Sequence, residues 1–122
     1  INSGFYVSDL KKTGFKNNFF DAAIFIDALH CVERDKNRED IVKELFRVMK
    51  PRTETIVSVW NKNSRKFKGK FQEKNIAWRD KGKRYYYLFE PEEIFNLFKK
   101  TGFEIKQKFN PDEKILFIIR KP

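Results

Sequence analysis

Two apolar runs, "AAIFI" at 22–26 and "ETIVSVW" at 54–60, enclose the amphipathic stretch "NREDIVKELFRVMKP". Strand, helix, strand in that order constrains the fold more than any other feature of the chain. Parallel strands cannot be joined by a tight turn; they need a crossover of a dozen or more residues, usually a helix. Ala22 to Ile26 reads as a strand buried on both faces and ending near Asp27. The helix is expected from Asn37, as its cap, to Lys50, with Asp40 close to the positive end of its dipole. Ile41, Val42, Leu45, Phe46, Val48 and Met49 form its apolar stripe, and Pro51 stops it. The β-branched run 54–60 is a second buried strand.

The remaining segments extend this pattern. "FYV" at 5–7 is a short strand candidate ended by Ser8 and Asp9. Residues 61–82 follow neither the helical nor the strand period and read as a long solvated connection. Pro91 is a good first helical residue for a helix to about Lys100, with Ile94, Phe95, Leu97 and Phe98 inward and Gly102 as its C-terminal cap. "EIKQKFN" and "EKILFIIRK" flank Pro111–Asp112 and predict a hairpin. The expectation is an α/β, three-layer sheet in one domain over 1–122, with 61–84 as a basic loop or insertion. One point is awkward: a strand at 5–7 and one at 22–26 have no crossover between them, so they cannot be parallel neighbours.

Charge narrows the partners. The chain carries a formal net charge of +10, and 61–87 holds ten Lys and Arg against two acids, a net +8. Phe67, Phe71, Trp78 and Tyr85–Tyr86–Tyr87 are interleaved with those cations. Rings that stack on bases, beside cations that meet phosphates, are the mixture expected of an RNA surface. Arg65, Lys66, Lys68, Lys70, Trp78, Arg84, Tyr85 and Tyr86 are therefore candidate substrate contacts. A solvated loop whose aromatics pack back on the sheet would produce the same composition. If 83–87 is extended, Tyr85 and Tyr87 face one way and Tyr86 the other.

Cys31 is the single cysteine. It excludes an intrachain disulfide and a cysteine-rich zinc cluster, and makes an intracellular, cytoplasmic setting the default. No apolar run approaches a membrane span, and no secretory leader is visible. The chain opens on Ile1 rather than Met, so further residues upstream are expected. His30–Cys31 lacks the third partner of a nucleophilic triad, and His30, Cys31 and Glu33 lack a second cluster for a metal. No catalytic side chain and no metal site is assigned.

The segments "SDL…FKNNFFDAAIFIDALHCV…REDIVKELFRVMKP…TIVSVW" resemble the second half of a class I S-adenosylmethionine-dependent methyltransferase. In that family an Asp follows strand three, strand four begins with Phe-Asp, and a helix ending in Lys-Pro leads to strand five. "RYYYLFEPEEI…LFKKTGFEI" is similar to the tRNA methyltransferases that complete carboxymethyl modification of wobble uridine, which carry Arg-Tyr-Tyr-His-x-Phe there. The resemblance implies a Rossmann-like sheet of order 3-2-1-4-5-7-6 with strand seven antiparallel. It removes the awkward connection, because strands three and four are not neighbours. Strands one and two and the glycine-rich cofactor loop are absent from this chain, which contains no Gly-x-Gly-x-Gly.

What the resemblance implies about the site is specific. Asp9 and Leu10 would lie near the adenine of S-adenosylmethionine, or Asp9 would simply cap Leu10–Lys11. Asp27 and Ala28, at the carboxyl edge where open α/β sheets bind ligands, would pass its methionine end. His30 would face the substrate or help cap its own loop. A carboxylate of the modified uridine, already ionised, would attack the methyl group without a strong base. Implied partners are tRNA and a small zinc-binding activator protein, for which 5–7 offers an edge. A small-molecule or protein methyltransferase and an inactive RNA-binding relative are the alternatives. Three departures stand out: "KPRTE" for Lys-Pro-Gly-Gly, His30–Cys31 for His-His, and Tyr87 for His.

Overall fold

The computed structural model describes residues 4, 6–70, 72–77 and 83–122, with backbone alone for 74–77 and 83–84. The elements are β1 (Ala23–Ile26), a short 3-10 helix (Leu29–Cys31), α1 (Asp35–Val48), β2 (Glu54–Trp60), β3 (Glu73–Ala77), β4 (Lys83–Tyr87), α2 (Pro91–Thr101), β5 (Glu104–Lys108) and β6 (Lys114–Arg120). Four strands form one sheet in the order β1-β2-β6-β5. β1 runs parallel to β2, Ala23 opposite Thr55, and β6 runs antiparallel to both β2 and β5. This is the 4-5-7-6 portion of the expected sheet, antiparallel strand included. The crossover helix and the C-terminal hairpin stand where periodicity put them.

The helix boundaries follow local chemistry. Glu90 and Glu93 form a reciprocal capping box around Pro91, and Gly102 closes α2 at φ 117°. The left-handed backbone favours glycine there, and a Cβ at Gly102 would press to 3.0 Å on the Phe46 ring. α1 begins two residues before the expected cap. Arg34, at φ 73°, precedes it without a side-chain cap, and Asn37 instead donates its amide to the Glu33 carbonyl. Arg52 in the "KPRTE" turn adopts φ 68°. The backbone therefore keeps the left-handed turn that glycine would occupy without strain.

β1 is buried on one face only. α1 and α2 pack on one side of the sheet, where Val42, Ile94, Phe98, Val57, Ile115, Phe117 and Ile119 form the core. Ile24 (75 % exposed), Ile26, Ile56 and Leu116 point to the other side, which the described residues leave open. An apolar run alone cannot distinguish a strand covered twice from one covered once. Tyr6 and Val7 form no strand, and Phe5 lies outside the described residues. The described residues of the expected solvated connection depart from it: 61–70 is a series of turns, and β3 pairs antiparallel with β4, Asn75 opposite Tyr85. "EKNIA" has no alternation of its own and is a strand because β4 offers it an edge.

The segment before β1 is tied to α1. Asn18, Phe19 and Phe20 donate backbone N–H groups to the carbonyls of Arg47 and Val48, satisfying acceptors that a helix end otherwise leaves open. The Glu44 carboxylate accepts from the Thr13 N–H and hydroxyl, each at 2.7 Å, and from the Arg47 guanidinium at 2.7 Å. Arg47's hydrogen bonds outweigh burial and, with Thr13, lower the Glu44 pKa from 4.5 to about 2. A carboxyl with a depressed folded pKa stabilises fully above its unfolded value and loses that contribution as pH falls through the folded one. Glu44→Gln is expected to cost about 2 kcal/mol at neutral pH and to flatten the fall in stability between pH 4.5 and 2. Denaturant titrations across that range check it; an unchanged acid slope would count against the Glu44 contribution.

Candidate functional site at the carboxyl edge of the sheet

The carboxyl ends of β1 and β2 open side by side, and β6 starts at the same edge. Asp27 leaves β1 at φ 52°. Its N–H donates to the Ser58 carbonyl and hydroxyl, and its carboxylate accepts from the Ser58 hydroxyl at 2.7 Å and from Lys114. Burial alone would raise the Asp27 pKa, but the hydrogen bonds from Lys114 and Ser58 prevail and lower it. Asp27 is thus an ionised group that fixes the bend after β1 and turns Ala28 into the 3-10 helix.

That turn buries His30 (1 % exposed). Its ring stacks on Trp60, the last residue of β2, at 4.3 Å and 17°. Trp60 also stacks with Phe67 at 5.2 Å and meets Tyr86 edge-on at 5.6 Å. Such aromatic pairs contribute about 0.5–1.5 kcal/mol each beyond area burial. Lys66 stands 5.4 Å from the Phe67 ring centre and 6.0 Å from that of Trp60, and Lys70 stands 5.9 Å from that of Phe67. The result is an aromatic column on the carboxyl edge with two ammonium groups over it. Spacing in the sequence could not reveal it, because His30, Trp60, Phe67 and Tyr86 come from four separate segments.

β4 does alternate. Tyr86 enters this column and is buried, so in this conformation its ring is a wall rather than an open stacking platform. Tyr85 and Tyr87 face α1. Tyr85 donates its hydroxyl to Glu73 at 2.7 Å, and Tyr87 donates to Glu93. Burial, then Glu93, pushes the Tyr87 pKa well above that of a free phenol. Beneath Tyr87 lies Arg38, 3 % exposed, with its guanidinium carbon 3.9 Å from the ring centre. Arg38 donates to the Val32 carbonyl at 2.6 Å and to Asp35 at 2.5 Å. A polar cavity of about 560 Å³ between the start of α1 and the β3–β4 ribbon is lined by Arg34, Arg38, Glu73 and Tyr85, among others. Arg38 was not among the residues singled out from sequence; an arginine in the first turn of an amphipathic helix reads as solvent-facing.

The other predicted residues are distributed as follows. Asp9 is exposed and accepts the Lys11 N–H at 2.8 Å, the capping geometry of its own loop. Leu10 lines an apolar cavity of about 300 Å³ with Ala23, Phe25 and Leu45. No hydrogen bond or ion pair among the described residues joins Asp9 or Leu10 to Asp27 or Ala28. Arg65, Lys66, Lys68 and Lys70 are exposed on the turns after β2. Arg84 lies in β4 opposite Ile76, and Trp78 lies outside the described residues. Among the described residues, no helix is long and apolar enough to cross a membrane.

Comparison with known proteins places this geometry. Residues 2–57 match the family model described as a methyltransferase domain. A protein of Encephalitozoon cuniculi, named by inference a methyltransferase, is 27 % identical over 127 residues, covering 97 % of this chain and 60 % of its own. The crystal structure of a SAM-dependent methyltransferase from Methanosarcina mazei superposes with a TM-score of 0.81 at 21 % identity, covering 96 % of this chain and 66 % of that one. The 1,6-didemethyltoxoflavin-N1-methyltransferase of Burkholderia thailandensis, with bound 1,6-didemethyltoxoflavin and S-adenosylhomocysteine, gives 0.70 at 15 % identity, over 93 % of this chain and 48 % of its own. The fold is that of the SAM-dependent methyltransferases, and the chain spans roughly half to two thirds of the length of these relatives.

Proposed function

We propose that this chain is the C-terminal part of an S-adenosylmethionine-dependent methyltransferase that acts on carboxymethylated wobble uridine in tRNA. The observation that carries the reading is the His30–Trp60–Phe67–Tyr86 column on the carboxyl edge, with Lys66 and Lys70 over its rings. A base needs an apolar, flat-walled site, and the phosphates beside it need cations. The "RYYYLF" resemblance gives the finer substrate assignment.

The residues present fit part of the cofactor. The positive φ of Asp27 opens the backbone of 26–28 at the sheet edge, and Asp9 offers a carboxylate oxygen beyond the one its own loop uses. When bound, S-adenosylmethionine supplies an electrophilic methyl group. A uridine carboxylate is ionised near neutral pH and needs no general base. The chain's work is then alignment and exclusion of water, with half-buried Trp60 facing the acceptor and buried His30 backing it.

The full-length protein, S-adenosylmethionine carrying a labelled methyl group, and tRNA with or without the carboxymethyl group provide the test. Transfer to the carboxymethylated tRNA alone supports the reading; transfer to neither sinks it. Lys66→Gln with Lys70→Gln is expected to weaken tRNA binding about 10-fold at moderate salt and to reduce the salt slope by about 1–2. Unchanged affinity and slope would remove these lysines from the RNA surface.

A methyltransferase acting on a small molecule is a second reading, favoured by the burial of Tyr86 and Phe67. The Burkholderia thailandensis enzyme, with a small acceptor bound, has the same fold. Transfer to small acceptors with none to tRNA would select it.

A further inference from the structure

Immediately after Trp60 the chain turns back on itself, and the turns border a third cavity, open to solvent and of about 460 Å³, against Pro111 and Asp112 of the β5–β6 hairpin. Its walls are Asn61, Asn63, Ser64, Arg65 and Lys68. The frame is hydrogen-bonded: the Asn61 side chain donates to the Asp112 carbonyl at 3.0 Å and accepts from the Asn63 N–H at 3.0 Å. The Ser64 carbonyl accepts from the Phe67 and Lys68 N–H groups. Ser64 is 6 % exposed, and its hydroxyl has no hydrogen-bond partner among the described residues. A buried hydroxyl costs stability unless a hydrogen-bonded group satisfies it, and Ser64 is among the residues that line the cavity. Arg65 and Lys68 are both exposed and engage no carboxylate among the described residues.

We propose that this cavity, formed by the 61–68 turns and the hairpin tip, binds a phosphate group, with Ser64 donating its hydroxyl and Arg65 and Lys68 supplying charge. Two cations and the Asp112 carboxylate leave one net positive charge, a match for the single negative charge of a phosphodiester. The cavity is lined by Asn61 and the residues after it, which follow Trp60 directly along the chain. The proposal rests on the tRNA reading for the source of that phosphate, and on the cavity alone for its chemistry.

The test compares the full-length wild-type protein with Ser64→Ala and Arg65→Gln, using a tRNA transcript at several salt concentrations and inorganic phosphate by calorimetry. Expected are a 5- to 20-fold loss of tRNA affinity in each variant and a salt slope about one unit smaller in Arg65→Gln. Ser64→Ala is expected to melt no lower than wild type without ligand, because it removes an unsatisfied hydroxyl; a merely structural serine would lower the melting temperature. Wild-type tRNA affinity and slope retained in both variants, with no phosphate heat lost, overturns the site and leaves the tRNA reading standing. Phosphate binding that both variants lose, in a protein that does not bind tRNA, upholds the site and overturns the tRNA reading.

Discussion

Arg38→Ala is expected to cost about 3 kcal/mol of stability. Several separate contributions are lost at once. The guanidinium stacks 3.9 Å from the centre of the Tyr87 ring, an interaction worth about 2 kcal/mol or more where water is excluded. It also satisfies the Val32 carbonyl at the end of the 3-10 helix and approaches the Tyr85 hydroxyl at 3.4 Å. Its ion pair with Asp35 adds less, because that carboxylate is 85 % exposed. Arg38→Lys should recover less than half of the loss, since an ammonium cannot stack as a plane while donating to three acceptors. Urea titrations give the stability, and hydrogen exchange at the Tyr85 and Tyr87 amides should speed up as β4 loosens from α1. A lysine variant as stable as wild type would show that charge alone, and not the planar fork, holds β4 to the helix.

Lys121→Met is expected to cost a similar amount, about 2–4 kcal/mol, although it replaces a charged residue with an apolar one of similar length. Lys121 is 8 % exposed, and its ammonium donates to the Phe46 carbonyl at 2.7 Å, the Met49 carbonyl at 2.9 Å and Asn18 Oδ1 at 2.8 Å. It also lies 4.5 Å from the centre of the Phe46 ring. These contacts place a cation at the negative end of the α1 dipole and fill acceptors that a helix terminus leaves open. Methionine restores the packing but orphans the carbonyls, so the deficit measures the hydrogen bonds. Thermal unfolding reads it, and a melting temperature within 2 °C of wild type would refute a capping role for Lys121.

Both residues show where reading a sequence stops. Arg38 and Lys121 are charged residues in a very basic chain, and nothing in their neighbours along the sequence marks them as buried. Their burial follows from packing: Arg38 is covered when β4 lies on α1, and Lys121 when β6 brings the chain end to the last turn of α1. Glu44 is similar, since its partner Thr13 lies 31 residues away. By contrast, Pro91 and Gly102 were legible because each acts through its own backbone.

The sequence by itself determined the strand–helix–strand crossover, the second helix, the hairpin that follows it, the likeness to methyltransferases and the concentration of positive charge after β2. Those features depend on period, turn chemistry and composition, which act over a few residues. Only the tertiary structure decided that β1 is covered on one face, that "EKNIA" is a strand, and that Tyr86 lies with His30, Trp60 and Phe67 while Tyr85 and Tyr87 face Arg38. Each of those outcomes depends on what packs against a segment from far along the chain. A strand's alternation states that its side chains have two destinations; the neighbours across the fold decide what each destination is.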